Sequence, residues 1–213
     1  MKNKSDVNVM LKEAGILCAI TLIAGFLLGL VYEVTKEPRR LQQEKAIQEA
    51  CVAVFPRAEE QNQELVFTAV EYTPGEEISA ELAENGVEIG TVYEARCVGA
   101  VYGYVVEAVS SEGYGGDIVL YVGVGVDGTV NGVSITESTE TAGLGLEAAS
   151  VLTPQFADKQ YESFVYTKTG AREGTNEVDA ISGATITTKA VTDAVNGGLK
   201  AALELLEGGV VNE

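Results

Sequence analysis

The run Asp179-Ala180-Ile181-Ser182-Gly183-Ala184-Thr185-Ile186-Thr187-Thr188 sets small residues and hydroxyls directly ahead of a helical pattern. Gly183 and Ala184 leave space beside the chain. Thr185 stands just before a helix N-terminus, where free N–H groups and the helix dipole favour an anionic phosphate. Ser182, Thr187 and Thr188 add hydroxyl donors. The same residues also read as a strand end, a small-residue turn and a Thr187 or Thr188 cap on the last helix. Residue types alone leave both readings open.

Two other segments could meet a ligand. Glu112 to Ile118 reads EGYGGDI: a glycine turn between strands, or a place where backbone approaches a flat ligand with Tyr114 available for stacking. Glu137 to Ala148 reads ESTETAGLGLEA and leaves a strand for a helical pattern. Gly143 and Gly145 permit a turn there, or bring N–H groups to a phosphate or ring. The segment itself contains no GxGxxG and no βαβ unit surrounds it, so it is not a dinucleotide fingerprint.

Composition removes most other chemistry. The chain has no histidine, which rules out Ser–His and Cys–His catalysis and His-ligated metal within it. Its three cysteines, Cys18, Cys51 and Cys97, are too far apart for a CxxC motif, a CxxCH haem site or a disulfide framework. Redox chemistry would have to come from an organic cofactor. Acidic residues outnumber basic ones 32 to 14, a net charge of −18, and Arg96 is the only base between Arg57 and Lys159. Such a surface repels nucleic acid and anionic headgroups.

The positioning elements follow from patterning. Ala14 to Tyr32 carries no charge and spans roughly 28 Å as a helix, close to a bilayer core. It is longer than a secretory apolar region and lacks an A-x-A-like site, so it reads as a retained anchor. Lysines and arginines flank both ends about equally, so charge counting does not orient it. Residues 39–52 keep a helical face of Leu41, Ala46, Ile47 and Ala50, a stalk that Pro56 is expected to end. Residues 57–95 are acidic, with strand-like LVFTAVEY and GTVYEARC and turns at PGEE and ENG. From Val98 to Thr136 the pattern is β, with Asp127-Gly128 predicting an antiparallel hairpin. LEAASVL and TPQFADKQY read as helical, with Thr153 as N-cap and Pro154 as first helical residue. FVYTK and EVDAI read as short strands. The last helix is expected over Ile186–Glu207, with an apolar stripe including Val191, Ala194, Val195, Leu199 and Ala202, stopped by Gly208-Gly209. The fold class is α+β with an antiparallel sheet. The expected division is a tail at 1–13, a transmembrane helix at 14–32, a stalk at 33–56, an acidic segment at 57–97, a ligand-binding domain at 98–207 and a tail at 208–213.

Asp179 through Thr185 closely resembles the flavinylation motif D-x-x-[S/T]-G-A-T of extracytoplasmic FMN-binding domains. More broadly, the chain resembles the G subunit of Rnf-type ion-translocating electron-transport complexes: one amino-terminal anchor followed by one FMN domain at about this length. Glu140 to Gly145 is similar to the family's E-T-P-G-L-G segment, with Ala142 in place of the proline. Ser138 stands where a histidine is common. The resemblance implies FMN carried as a phosphoester on Thr185. The bond is made by a separate flavin transferase with FAD as donor, so the chain need not activate its own nucleophile.

The resemblance also implies an electron-transfer subunit of a membrane complex coupling ferredoxin/NAD electron flow to Na⁺ or H⁺ translocation, partnered by the other subunits. This chain alone would hold no complete active site and would bind neither NAD, ferredoxin nor the pumped ion. Ser182, Gly183, Ala184, Glu140, Thr141, Gly143 and Gly145 are the expected flavin surroundings. The N-terminus is expected in the cytoplasm and the FMN domain outside it. Competing readings are the C subunit of a Na⁺-translocating NADH:quinone reductase and a stand-alone extracytoplasmic flavoprotein carrier. A colourless acidic tethered module is a third.

Overall fold

The computed structural model describes residues 4–209. The expected tails therefore lie partly outside it, at residues 1–3 and 210–213. The chain forms two units, Met1–Lys45 and Ala46–Glu213. Helix α1 (Lys4–Ala53) accounts for the described part of the first and supplies the opening turns of the second. Among the described residues it is the one helix long and apolar enough to cross a membrane, with a mean hydropathy of 2.5 and none of that apolar window buried.

α1 ends at Ala53, and Pro56 opens a new helix, α2 (Pro56–Glu60), as its first residue rather than ending the old one. That is where a residue without an N–H costs nothing. Strands β1 (Leu65–Val70), β2 (Val87–Cys97), β3 (Ala100–Ser110), β4 (Ile118–Gly125) and β5 (Val130–Ser138) form one antiparallel sheet in chain order. The sheet runs across residues 97 and 98, since β1 and β2 supply two of its strands. α3 (Glu76–Glu84) fills what reads as turn sequence. Its Ile78 and Leu82, one helical turn apart, both join the core.

Alternation along the central strands builds two apolar layers. Val106, Ala108, Leu120, Val122 and Val124 face α6 (Thr185–Gly209), whose Val191, Ala194, Val195, Leu199 and Ala202 are fully buried. Val105, Tyr121 and Ala95 face the other way, against Ala50 and Cys51 in the last turn of α1 and Val54 and Phe55 just after it. Gly123 and Gly132 pair across β4 and β5 beneath Val54. A Cβ on Gly123 would lie 2.7 Å from the Val54 side chain and carbonyl, so this pair is a socket for the helix end. Tyr121 donates its hydroxyl to Glu107 Oε1 at 3.0 Å in this layer.

The connection to α6 differs from expectation in detail. A 3-10 turn (Gly145–Glu147) leads into α4 (Ala148–Val151) and α5 (Thr153–Phe156). Leu152, not Thr153, occupies the N-cap of α5; the Thr153 hydroxyl donates to Ala149 O at 2.6 Å instead. Being still inside a helical stretch, it finds the preceding turn's carbonyl closer than any free N–H. β6 (Val165–Thr167) and β7 (Glu177–Asp179) form the two expected short strands, paired in parallel. α6 begins at Thr185 and runs through Gly208, so those glycines do not stop it early.

Candidate flavin cleft

The three glycine- and hydroxyl-rich segments meet at one end of the sheet. They enclose a cleft of about 470 Å³ lined by Tyr114, Glu140, Thr141, Leu144, Gly145, Gly183, Ala184, Thr185, Ile186 and Thr187. A cleft of this size suits a small-molecule ligand.

Local bonds shape its floor. Asp179 closes β7: its N–H donates to Gln155 Oε1 at 2.7 Å, and its carboxylate accepts from Ala171 N–H. The chain then turns tightly, with Ala184 N–H donating to Ile181 O at 3.0 Å and Gly183 at a φ of 81°. The Thr188 hydroxyl ties the turn to the helix. It accepts from Ile181 N–H at 3.1 Å and donates to Ala184 O at 2.9 Å. Ala184 is thus the N-cap position, with Thr188 N–H donating to its carbonyl at 2.9 Å. The amides of Thr185, Ile186 and Thr187 precede that first bond and have no acceptor among the described residues. Neither Thr187 nor Thr188 caps the helix in the ordinary way; both lie within its first turn.

The threonine hydroxyls therefore differ in occupation. Those of Thr187 and Thr188 are buried and bonded within the fold. That of Thr185 is half-buried and has no partner among the described residues.

Glu140 joins the segments. Only 7% exposed, it accepts from Gly115 N–H at 3.1 Å through Oε1 and from the Thr187 hydroxyl at 2.9 Å through Oε2. One carboxylate thus links the β3–β4 turn, the loop after β5 and the first turn of α6. Thr139 adds a second tie, its hydroxyl donating to Gly115 O at 2.9 Å. Gly145 packs flat on this junction, since a Cβ there would lie 2.5 Å from Glu140 Oε2 and 2.6 Å from Thr187 Oγ1.

Of the residues expected around a ligand, Thr185, Gly183, Ala184, Glu140, Thr141 and Gly145 line the cleft, whereas Ser182 and Gly143 do not. Gly143 serves the turn, with a φ of 75° and open space around it. Leu144 and Ile186 line it too, although residue type alone does not single them out. They sit within four residues of motif positions, and their exposure, 41% and 53%, marks them as apolar walls rather than core. Exposed Tyr114 completes a surface suited to a flat aromatic ring. No group of metal-ligating side chains occurs among the described residues. Free amides at a helix start, an unengaged hydroxyl and apolar walls fit a phosphate-bearing planar cofactor.

Comparison with known proteins agrees. Residues 113–200 match the model of the FMN-binding domain, a stretch containing every lining residue of the cleft. The chain is 36% identical over 200 residues to the G subunit of the Na⁺-translocating ferredoxin:NAD⁺ oxidoreductase complex of Acetobacterium woodii, covering 92% of each protein. It is 31% identical over 194 residues to the G subunit of the ion-translocating oxidoreductase complex of Methanosarcina acetivorans, covering 90% of this chain and 94% of that one. A shorter match, 41% over 104 residues, is to the G subunit of the proton-translocating ferredoxin:NAD⁺ oxidoreductase complex of Clostridium ljungdahlii, covering 48% of this chain and 55% of that one. The chain belongs to the G-subunit family of ion-translocating oxidoreductase complexes, and it carries that family's electron-transfer role on an FMN-binding domain.

Proposed function

We propose that this chain is the electron-transfer subunit of a membrane complex that couples ferredoxin/NAD electron flow to ion translocation, with FMN held as a phosphoester on Thr185. The observation that carries the attachment site is the unengaged Thr185 hydroxyl at the cleft, beside neighbours whose hydroxyls are already bonded. A separate flavin transferase, with FAD as donor, makes the bond. The complex's other subunits are the redox partners. α1 anchors the chain, with its N-terminus in the cytoplasm and the FMN domain outside, where a dissociable cofactor would be lost by mass action.

The residues divide the work. The amides of Thr185, Ile186 and Thr187 would receive the phosphate, and the helix dipole would support its charge. Leu144, Ile186 and Tyr114 would wall the ring and reduce its contact with water. Glu140 holds together the loops that would position it, through Gly115 and Thr187. When bound, FMN supplies the electron-accepting and electron-donating chemistry that the side chains lack. Similarity to G-subunit proteins over nearly the whole chain favours this reading over the C subunit of a quinone reductase or a stand-alone carrier.

The test is co-expression with a flavin transferase, followed by intact mass and peptide mapping. The expected result is one added FMN on the peptide containing Thr185, giving a fluorescent band on a denaturing gel, lost in Thr185→Val. A band that survives in Thr185→Val would overturn the attachment site.

A further inference from the structure

The sheet's two edges are treated differently. At β5, Val130 N–H donates to Lys159 O at 2.9 Å, two register shifts interrupt the pairing with β4, and α5 packs alongside. These are the devices by which proteins blunt an edge. β1 has none of them. Its sequence, LVFTAV, contains no charge, proline or glycine, and it pairs with β2 without a break from Leu65↔Cys97 to Val70↔Val92. No hydrogen bond among the described residues reaches its free side. Val66 is 60% exposed. Alternate N–H and C=O groups along β1 thus stand open in an uncharged strand of high β-propensity.

Charge selects the occupant. Glu64 and Glu71 bracket the strand, both are exposed, and neither has an ion pair among the described residues. Glu59, Glu60, Glu76 and Glu77 extend the acidic flanks. A second copy pairing antiparallel in register would put Glu64 of one chain opposite Glu71 of the other, and parallel pairing would set like against like. Both arrangements are disfavoured. The complement is an extended segment with apolar residues at its centre and lysine or arginine at its ends.

We propose that β1 is a docking edge, at which a basic-flanked extended segment of a partner polypeptide adds a sixth strand to the sheet. Main-chain bonds supply affinity, and the glutamates supply selectivity and orientation. The docking edge rests on the multi-subunit assembly of the proposed function only for its test.

Amide exchange is measured on the full-length chain twice: purified in detergent, and in membranes containing the assembled complex. In the purified chain, the outward amides of residues 65–70 are expected to exchange quickly. In the assembled complex they should slow by at least about tenfold. The Glu64→Lys/Glu71→Lys variant should restore fast exchange in membranes. Equal rates in the two preparations overturn the proposal, and so does protection that persists in the double variant. Protection in the purified chain together with a dimer in sedimentation would identify a second copy and also overturn it. Flavin fluorescence read on the same samples separates the two claims: loss of flavin with β1 protected counts only against the FMN reading, and the converse only against the docking edge.

Discussion

Removing the Glu140 carboxylate should unfasten the cleft. Glu140→Ala deletes the acceptor of two hydrogen bonds, from Gly115 N–H at 3.1 Å and from the Thr187 hydroxyl at 2.9 Å. Hydrogen bonds to a charged group contribute about 1.5–3 kcal/mol each, and a buried donor left without a partner costs about 1–3 kcal/mol. Thr187 is 1% exposed, so water does not readily replace its lost acceptor. Against this, removing a largely buried carboxylate relieves its desolvation. The balance is a loss of about 3 kcal/mol, and at about 2–4 °C per kcal/mol for a domain of this size the melting temperature should fall by about 6–12 °C. Glu140→Gln keeps one oxygen acceptor, and the Thr187 hydroxyl can rotate to accept from the new amide, so its loss should be under half as large. The assay is thermal unfolding of the full-length chain in detergent, followed by near-ultraviolet circular dichroism of its tyrosines, with covalent flavin yield read in parallel. If Glu140→Ala melts within about 2 °C of the parent, less than one kcal/mol, or if Glu140→Gln is equally damaging, a carboxylate acceptor joining the three segments is not what holds the cleft.

Two further tests address the opposite face of the sheet. Gly123→Ala should destabilise the domain by about 1–3 kcal/mol through overpacking against Val54; adding Val54→Ala should recover only part of the lost melting temperature, because the Val54 carbonyl remains within 2.7 Å of the new methyl. Cys51 is 1% exposed, and burial first, then the nearby Glu107, pushes its thiol up to about 12. The unfolded thiol ionises from about 8.5. This raised group therefore contributes stability in full below that pH and loses it as pH climbs toward 12. Iodoacetamide at about pH 8 should label Cys97 before Cys51 in the folded chain and reach Cys51 only on unfolding, and stability should fall between about pH 9 and 11 less steeply in Cys51→Ala. Rapid native labelling of Cys51 would contradict its placement.

The readable parts of this molecule are those whose cause is local. The Asp127-Gly128 turn, the α6 stripe and the two short strands each follow from neighbouring residues, and all lie where patterning puts them. Patterning misses α3 because its short EEISAELAE segment sits between turn signals, and its two large apolar residues, Ile78 and Leu82, become meaningful only against α6 and β2. It misplaces Thr153 because capping depends on whether the preceding residues are already helical. The gathering of Gly115, Glu140 and Thr187 at one point is not readable from spacing, since 25 and 47 residues separate the partners. What is visible in one dimension is three stretches of unusual glycine and hydroxyl content, the trace that such a junction leaves.

The cleft's electrostatics bear on why attachment would be covalent. Among the described residues no lysine or arginine lines it, Glu140 does, and the chain carries a net charge of −18. A free flavin phosphate, with about −1.5 to −2 charge, would approach against that field with only helix amides to receive it. Such a site is a poor competitor for a dissociable anion. The proposed bond to Thr185 would remove the need for affinity: the ring's local concentration would be fixed by the tether, and one ionisation of the phosphate would be lost on forming the diester. Residues that would otherwise have to be basic are then free to be small or apolar, as Gly183, Ala184, Leu144 and Ile186 are. By this argument Ile186→Lys, added to Thr185→Val, should raise retention of unattached FMN above that of Thr185→Val alone. Equilibrium dialysis against FMN checks it. No gain in retention would mean that charge is not what would make a tether necessary.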